Sequence, residues 1–447
     1  MKTDAPPAAR HRQAVALVGF AVLLVACGNP AASSPAAAPS TPRSSAASSL
    51  PTTPEPSASP GPTAADDLAT LLETLERSHP EPFHGVSRDE FVAALDAYGA
   101  SLPDLSPDEA VVGLMRVWAM LSREGRDGHQ FAFPTADHDG PVLPIRIYEF
   151  AEGLFVTDAL PPHAGLVGAR ITAIEDTPID EVLAAVEPLV PRDGPATVPS
   201  FRPILLLRTV VLRGLGIIGE GPVTVALELP DGSETTAVLE PVALDAYTEW
   251  AGRFGMHQLP QDQRVRYLAD TEPFTATLLE GGTLYLRYRS IRPIGTNEVR
   301  DLLERGDVQR VIVDVRQNPG GDNSTYLILR ELLEDFADAN PGATTVITDR
   351  VTFSAASNFA TDIERRTDAT FVGEPMGGGL NFWDDVRWLE LHNLPVPMRA
   401  AISVRHWVFA DPDDPRLTIE PDVPVEVTAA DFFAGRDPAL EAALAGQ

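Results

Sequence analysis

The chain has 447 residues, room for two or three domains around a sizeable core. Its formal net charge of -30 at pH 7 repels nucleic acid and anionic lipid headgroups, so a polynucleotide is excluded as an expected partner. The single cysteine, Cys27, leaves no disulfide framework, cysteine nucleophile or thiolate metal site, and the single lysine, Lys2, leaves no lysine base or Schiff base to the rest of the chain.

Residues 1–27 begin with basic residues and continue through an apolar segment from Ala14 to Val25. That segment is too short for a comfortable membrane span and reads as the core of a signal peptide. Leu24-Val25-Ala26-Cys27 resembles the bacterial lipobox. The resemblance implies a lipid on Cys27 and a protein anchored to the cell membrane on its extracytoplasmic face. A buried cysteine in an ordinary signal or anchor is the alternative. Residues 28–65 are rich in Ala, Ser, Pro and Thr, cannot build a core, and read as a flexible tether.

Residues 66–135 read as helical. Leu68, Leu71, Leu72 and Leu75 form one apolar stripe at helical spacing. Ser87 with Glu90 and Ser106 with Glu109 have the spacing of capping boxes, the second with Pro107 at the first helical position. The helix opened by Ser106 places Val111, Leu114, Met115 and Trp118 on one face, and the pattern predicts its end near Gly125. His129 follows in Asp127-Gly128-His129-Gln130.

Between residues 140 and 242 the pattern changes to short strands and turns, with a helix over Ile179 to Val186. Val223 to Leu229 and Thr235 to Leu239 flank Asp231-Gly232, a hairpin signal. The segment Ala164 to Ile174 resembles the Ala-Gly-Leu…Gly-Asp-x-Ile-x-x-Ile core of PDZ domains, with Ala169 where the usual Asp stands, which implies a module that adds an extended peptide as a strand. A plain β-rich insert is the alternative. After a linker near Gln261, residues 243–447 alternate strands with helices: Thr283 to Tyr288, a helix near Asn297 to Arg305, then the apolar run Val311 to Val315. This is the pattern of an α/β layered domain with partly parallel pairing.

That run and the stretch behind it carry the chemistry. A buried parallel strand delivers its C-terminal end to a site edge. Here it leads into Asn318-Pro319-Gly320-Gly321, where glycine lets backbone N–H groups come close to a ligand. Ser354, in Thr352-Phe353-Ser354-Ala355-Ala356, stands where a second strand ends and a helix begins, with Ala356, Phe359, Ala360 and Ile363 as the buried stripe. A helix N-terminus favours the negative charge of an acyl-transfer intermediate. A simple N-cap serine is the bland reading of the same residue.

Asp314-Val315-Arg316-Gln317-Asn318-Pro319-Gly320-Gly321, Thr352 to Ala356 and Gly373-Glu374-Pro375 together resemble the signature motifs of the tail-specific (C-terminal-processing) serine peptidases. The resemblance implies a crotonase-like α/β catalytic core, Ser354 as nucleophile, and oxyanion donors from the backbone of Gly320 or Gly321 and of Ala355. The lysine base of that family would fall at Gly379, so the chain looks more like the tricorn-type branch, whose base is a histidine. On this resemblance His129 is the general base. A carboxylate near the C-terminus would orient it; Asp411, Asp413 and Asp414 are the candidates, with Asp414 the one named. Gly128 stands where the branch has a serine, which leaves the relay incomplete.

The expected protein is a lipid-anchored extracytoplasmic serine peptidase with a peptide or protein substrate and no cofactor. A non-catalytic binding protein on the same fold, or an esterase using the same site, remains open. No metal-ligand spacing, phosphate loop or dinucleotide fingerprint is evident.

Overall fold

The apolar run around Val313 is buried on both faces because it lies inside a sheet with helices on each side. The computed structural model describes residues 61–251 and 265–446. The expected signal peptide with Cys27, most of the Ala/Ser/Pro/Thr tract and the linker expected near Gln261 lie outside the described residues. Among the described residues no helix is long and apolar enough to cross a membrane.

Six strands form the central sheet in the order Val423–Pro424, Thr370–Gly373, Thr344–Thr348, Arg310–Asp314, Thr283–Tyr288 and Phe274–Leu279. All neighbours are parallel except the last pair, which closes one edge as an antiparallel hairpin. Successive side chains leave a strand on opposite faces. Val311, Val313 and Val315 accordingly pack with the helices Leu327–Ala339 and Ala355–Arg366 on one side. Ile312 meets the C-terminal helix Pro438–Ala445 on the other. The stripe expected for the helix after Ser354 holds: Ala356, Phe359, Ala360 and Ile363 are fully buried. Truncating Phe359 there would cost about 3–5 kcal/mol.

The strand Arg310–Asp314 ends in a buried charge knot. Arg316 pairs with Asp314 at 2.6 Å and with Asp437 at 2.7 Å, and Tyr285 donates to Asp314 at 2.7 Å. Burial alone would raise Asp314, but the Arg316 and Arg287 guanidinium groups outweigh it and hold the carboxyl below its usual range. The knot docks the C-terminal helix beneath the sheet and fixes where the following glycine turn starts.

Three helices, Ala64–Ser78, Arg88–Ser101 and Pro107–Ala119, form the N-terminal region. Ser106 and Glu109 make the full reciprocal capping box, whereas at Ser87 only the serine half forms. The first helix starts earlier than its leucine stripe suggests, at a Thr63–Asp66 box. The third ends at Ala119 and continues as a single 3-10 turn, short of Gly125. These helices cover a small sheet of Ala132–Pro134, Met398–Ile402 and Arg387–Leu391, and Trp118 Nε1 donates to the Ala401 carbonyl at 3.1 Å.

The middle region holds a largely antiparallel sheet in the order Ile145–Phe150, Gly153–Ala159, Arg170–Ile174, Val223–Glu228 and Glu234–Leu239, with the expected helix Ile179–Val186 beside it. Two helices, Thr197–Leu206 and Thr209–Gly214, stand where short strands and turns are expected. Pro203 inside the first lowers its helix propensity. Burial of Val198, Phe201, Leu205 and Leu206 overrides that local preference.

Candidate active site

Ser354 caps the helix Ala355–Arg366 with φ 55 and ψ -129, a left-handed conformation that costs a non-glycine residue of order 1–3 kcal/mol. It does not act as an ordinary N-cap, because its side chain makes no capping hydrogen bond. Instead Ser354 Oγ donates to Asp384 Oδ2 at 3.3 Å. The sharp turn is held from behind by Asn318, whose carbonyl accepts the Phe353 N–H at 3.0 Å and whose side chain donates to the Tyr288 carbonyl at 2.7 Å.

Gly320 presses directly on the serine. A Cβ at this position would stand 2.7 Å from Ser354 Cβ and 2.9 Å from Ala355 N, and its φ of +107 suits only glycine. The Gly320 N–H, however, donates to Asn318 Oδ1 at 2.9 Å within the turn, so it is not aimed at the space beside Ser354. The neighbouring Gly321 is packed on Ile291, with its own Cβ position only 1.8 Å from the Ile291 carbonyl oxygen. Ala355 leads the helix, where the first N–H groups have no intrahelical acceptor.

His129 is fully buried, its ring between Phe353 and Phe382 with centroid separations of 4.5 and 5.5 Å. Its Nε2 lies 3.4 Å from Asp384 Oδ2, the same oxygen that Ser354 reaches, although neither ring nitrogen completes a hydrogen bond. Serine, carboxylate and imidazole therefore meet at one oxygen atom. Burial lowers the His129 pKa, opposed in part by the carboxylates of Asp193, Asp127 and Asp385. Burial likewise pushes the Asp384 carboxyl up to about 7.

The third group near His129 is thus Asp384 and not Asp414. Asp414 is bound to Arg416 at the edge of the molecule, and its backbone carbonyl accepts from Arg126. Asp411 and Asp413 lie in the same turn, where the Asp413 N–H donates to Asp411 Oδ1 at 3.0 Å. Asp422 accepts the Phe371 N–H at 2.8 Å, a bond that braces the sheet edge. Asp384 ends the strand Asn381–Asp384, which pairs antiparallel with Arg405–Val408 shortly beyond Gly379. No spacing in the sequence marks it, since it is one acidic residue among many in a strongly acidic chain.

A second buried carboxylate, Asp193, ties the site together. It accepts the Gly128 N–H at 2.5 Å and the Gly379 N–H at 3.1 Å. Burial pushes it up to about 6 against the pull of His129 and those two N–H groups. A Cβ on Gly128 would stand 3.1 Å from the Asp193 carboxyl carbon, so the glycine there makes room for this clamp. Thr197, at the start of the helix that follows, donates to the Gly377 carbonyl at 2.5 Å, and the Trp383 backbone N–H donates to the Arg126 carbonyl at 2.7 Å.

Asp127 anchors the other side. It accepts from Ser403 at 2.6 Å and His79 Nε2 at 3.0 Å, with His84 Nε2 at 3.5 Å. Burial would raise it, but those hydrogen bonds prevail and its pKa is lowered. His79 and His406, which have no evident context in the sequence, both contact Trp383, the first tilted at 4.7 Å and the second stacked at 4.3 Å between ring centroids. The ligand atoms of His79, His84 and Asp127 lie within 4.8 Å of one another, the closeness a metal ion requires. Yet His79 Nδ1 accepts the Glu81 N–H at 3.0 Å, which puts the ring proton on Nε2, facing the carboxylate. A protonated nitrogen is a hydrogen-bond donor and not a ligand, so the cluster is accounted for as a brace.

A comparison of the sequence with known families finds no match, and one with curated proteins finds none either. Comparison with solved structures does. Mature CPAF complexed with lactacystin superposes with a TM-score of 0.56 at 13% identity, covering 83% of this chain and 95% of that one. A CPAF mutant gives 0.57 at 14% identity, covering 83% and 94%. The photosystem II D1 C-terminal processing protease covers 82% and 94% at 15% identity with a TM-score of 0.42, too loose an overlap to build on. The chain shares the mixed α/β fold of CPAF along most of both lengths.

Proposed function

We propose that the protein is a serine peptidase in which Ser354 attacks the acyl carbon of a peptide bond and the His129–Asp384 pair manages its proton. The observation that carries this reading is a serine held at positive φ at the head of a helix, hydrogen-bonded to a buried carboxylate that an imidazole also faces. Strain of this kind clusters where a side chain must be presented for reaction. The fold shared with CPAF and the peptidase-like order of the sequence motifs point the same way.

In this reading the sheet and the helices around it form a crotonase-like catalytic core. The middle sheet is a PDZ-like module that offers an edge to extended peptide. The Ala355 N–H stabilises the oxyanion, with Gly320 or Gly321 as the second donor once an acyl oxygen competes with Asn318. Cys27 carries a lipid that holds the enzyme at the extracytoplasmic face of the cell membrane, with residues 28–65 as the tether.

The engagement of the Gly320 N–H by Asn318 favours a second reading, a binding protein with no turnover. The two readings separate under a fluorophosphonate probe. Stoichiometric labelling of Ser354 in the wild type, lost in a folded Ser354→Ala variant together with peptide hydrolysis, supports the peptidase. An unlabelled wild type refutes it. Parallel assays on peptide and ester substrates decide between peptidase and esterase.

A further inference from the structure

We propose that Asp384 is itself a catalytic residue, the direct acceptor of the Ser354 proton, with His129 as the group that holds this carboxylate in place. The inference rests on Ser354 being the nucleophile and assigns the base of that same site.

Geometry comes first. Ser354 Oγ has a hydrogen bond to Asp384 Oδ2 at 3.3 Å, and the approach of His129 to the site is to that same Oδ2, at 3.4 Å. A proton leaving Ser354 Oγ along its existing hydrogen bond arrives on the carboxylate. The His129 ring is packed on Phe353 and Phe382, and neither of its nitrogens has a hydrogen bond to Ser354. Burial disfavours the imidazolium, against the pull of nearby carboxylates and the Trp383 backbone, and leaves Nε2 facing Asp384 Oδ2 at 3.4 Å.

The carboxylate is suited to the task. An ordinary Asp is too weak a base for a serine hydroxyl near neutral pH. Burial pushes this one up to about 7, where a general base combines ionisation with proton affinity. The charged groups acting on it are few: Asp385 next in sequence and Asp127 raise it, while hydrogen bonds from Ser354 and the Asp385 backbone lower it. His129 Nε2 faces it at 3.4 Å.

The chemistry balances without any further reactant. Ser354 Oγ bonds to the acyl carbon as its proton passes to Asp384 Oδ2, and the carbonyl π pair moves to the oxygen. On collapse the C–N bond breaks and Asp384 returns the proton to the leaving nitrogen, producing the amine and the acyl-enzyme. Water then attacks along the same path, giving its proton to Asp384, which passes it to Ser354 Oγ as the acid product departs.

The test measures the second-order rate of Ser354 modification by a fluorophosphonate from pH 5 to 9, in the wild type, Asp384→Asn and His129→Gln. Folding of each is checked by thermal melting. Asp384→Asn should slow labelling by roughly 10²–10⁴-fold and abolish the acid limb of the profile. His129→Gln, which can still donate to Asp384, should label more slowly yet keep an acid limb. Loss of that limb in His129→Gln, or wild-type labelling in Asp384→Asn, overturns the proposal in favour of the imidazole as base. Should Asp384→Asn not fold, the His129→Gln profile alone decides. A wild type that does not label at all fails the peptidase reading itself, a different result from either.

Discussion

Replacing Gly320 by alanine tests the claim that the glycine turn forms the wall behind the nucleophile. The added methyl would lie 2.7 Å from Ser354 Cβ, 2.9 Å from Ala355 N and 2.9 Å from the Phe353 carbonyl oxygen. Two of those are backbone atoms of the strained turn and cannot rotate away. Positive φ alone costs an L-residue about 1–2 kcal/mol, and overpacking adds about 1–3 kcal/mol. Gly306 supplies the control, with a φ of +76 and nothing within 4 Å of its Cβ position. Gly306→Ala should therefore lose only the conformational part. Gly320→Ala should melt lower than Gly306→Ala by an amount worth about 1–3 kcal/mol. It should also slow Ser354 labelling, since relief of the clash moves the serine. Equal melting temperatures with undiminished labelling in Gly320→Ala would show that the turn does not back the serine.

Two further outcomes follow from the same geometry. Ser354→Gly should be more stable than Ser354→Ala by about 1 kcal/mol, because glycine accepts the positive φ that alanine must pay for; differential scanning calorimetry of the two inactive variants measures it. Asp384 and Asp193 are raised to about 7 and about 6, above the unfolded value near 3.9. The folded state therefore binds more protons than the unfolded state between those limits, and their contribution to stability falls as pH rises from about 4 to 7. Melting curves across that range should show a shallower fall for Asp384→Asn than for the wild type, and parallel curves would refute the assignment.

Local signals carried the sequence a long way toward this arrangement. The double-sided burial of Val311 to Val315, the alternation of Thr283 to Tyr288 and the stripe behind Ser354 are periodicities, and each element stands where its period places it. The motif residues Ser354, Gly320 and Ala355 meet in space because they flank adjacent parallel strands, whose C-terminal ends share one sheet edge. His129 also reaches the cluster. What the sequence did not disclose are the carboxylates. Asp384, Asp193 and Asp127 gain their character from burial and from partners far along the chain, neither of which leaves a local pattern. Asp414, chosen by analogy of position, instead pairs with Arg416 two residues on. The helix Thr197–Leu206 was hidden for a related reason: its proline argues against helix locally, and only tertiary contacts reverse that.

The Asp193 clamp has a consequence for when the protein can act. The Gly128 and Gly379 N–H groups meet on a carboxylate contributed by neither segment, and the sheet carrying Arg310–Asp314 finishes with Val423–Pro424. A chain still emerging during synthesis has Ser354 and the pairing of Thr344–Thr348 with Thr370–Gly373 before it has Asp384, and gains the edge strand Val423–Pro424 later still. The oxygen at which serine and imidazole meet is therefore set only once segments from both sides of Ser354 in the chain have folded together.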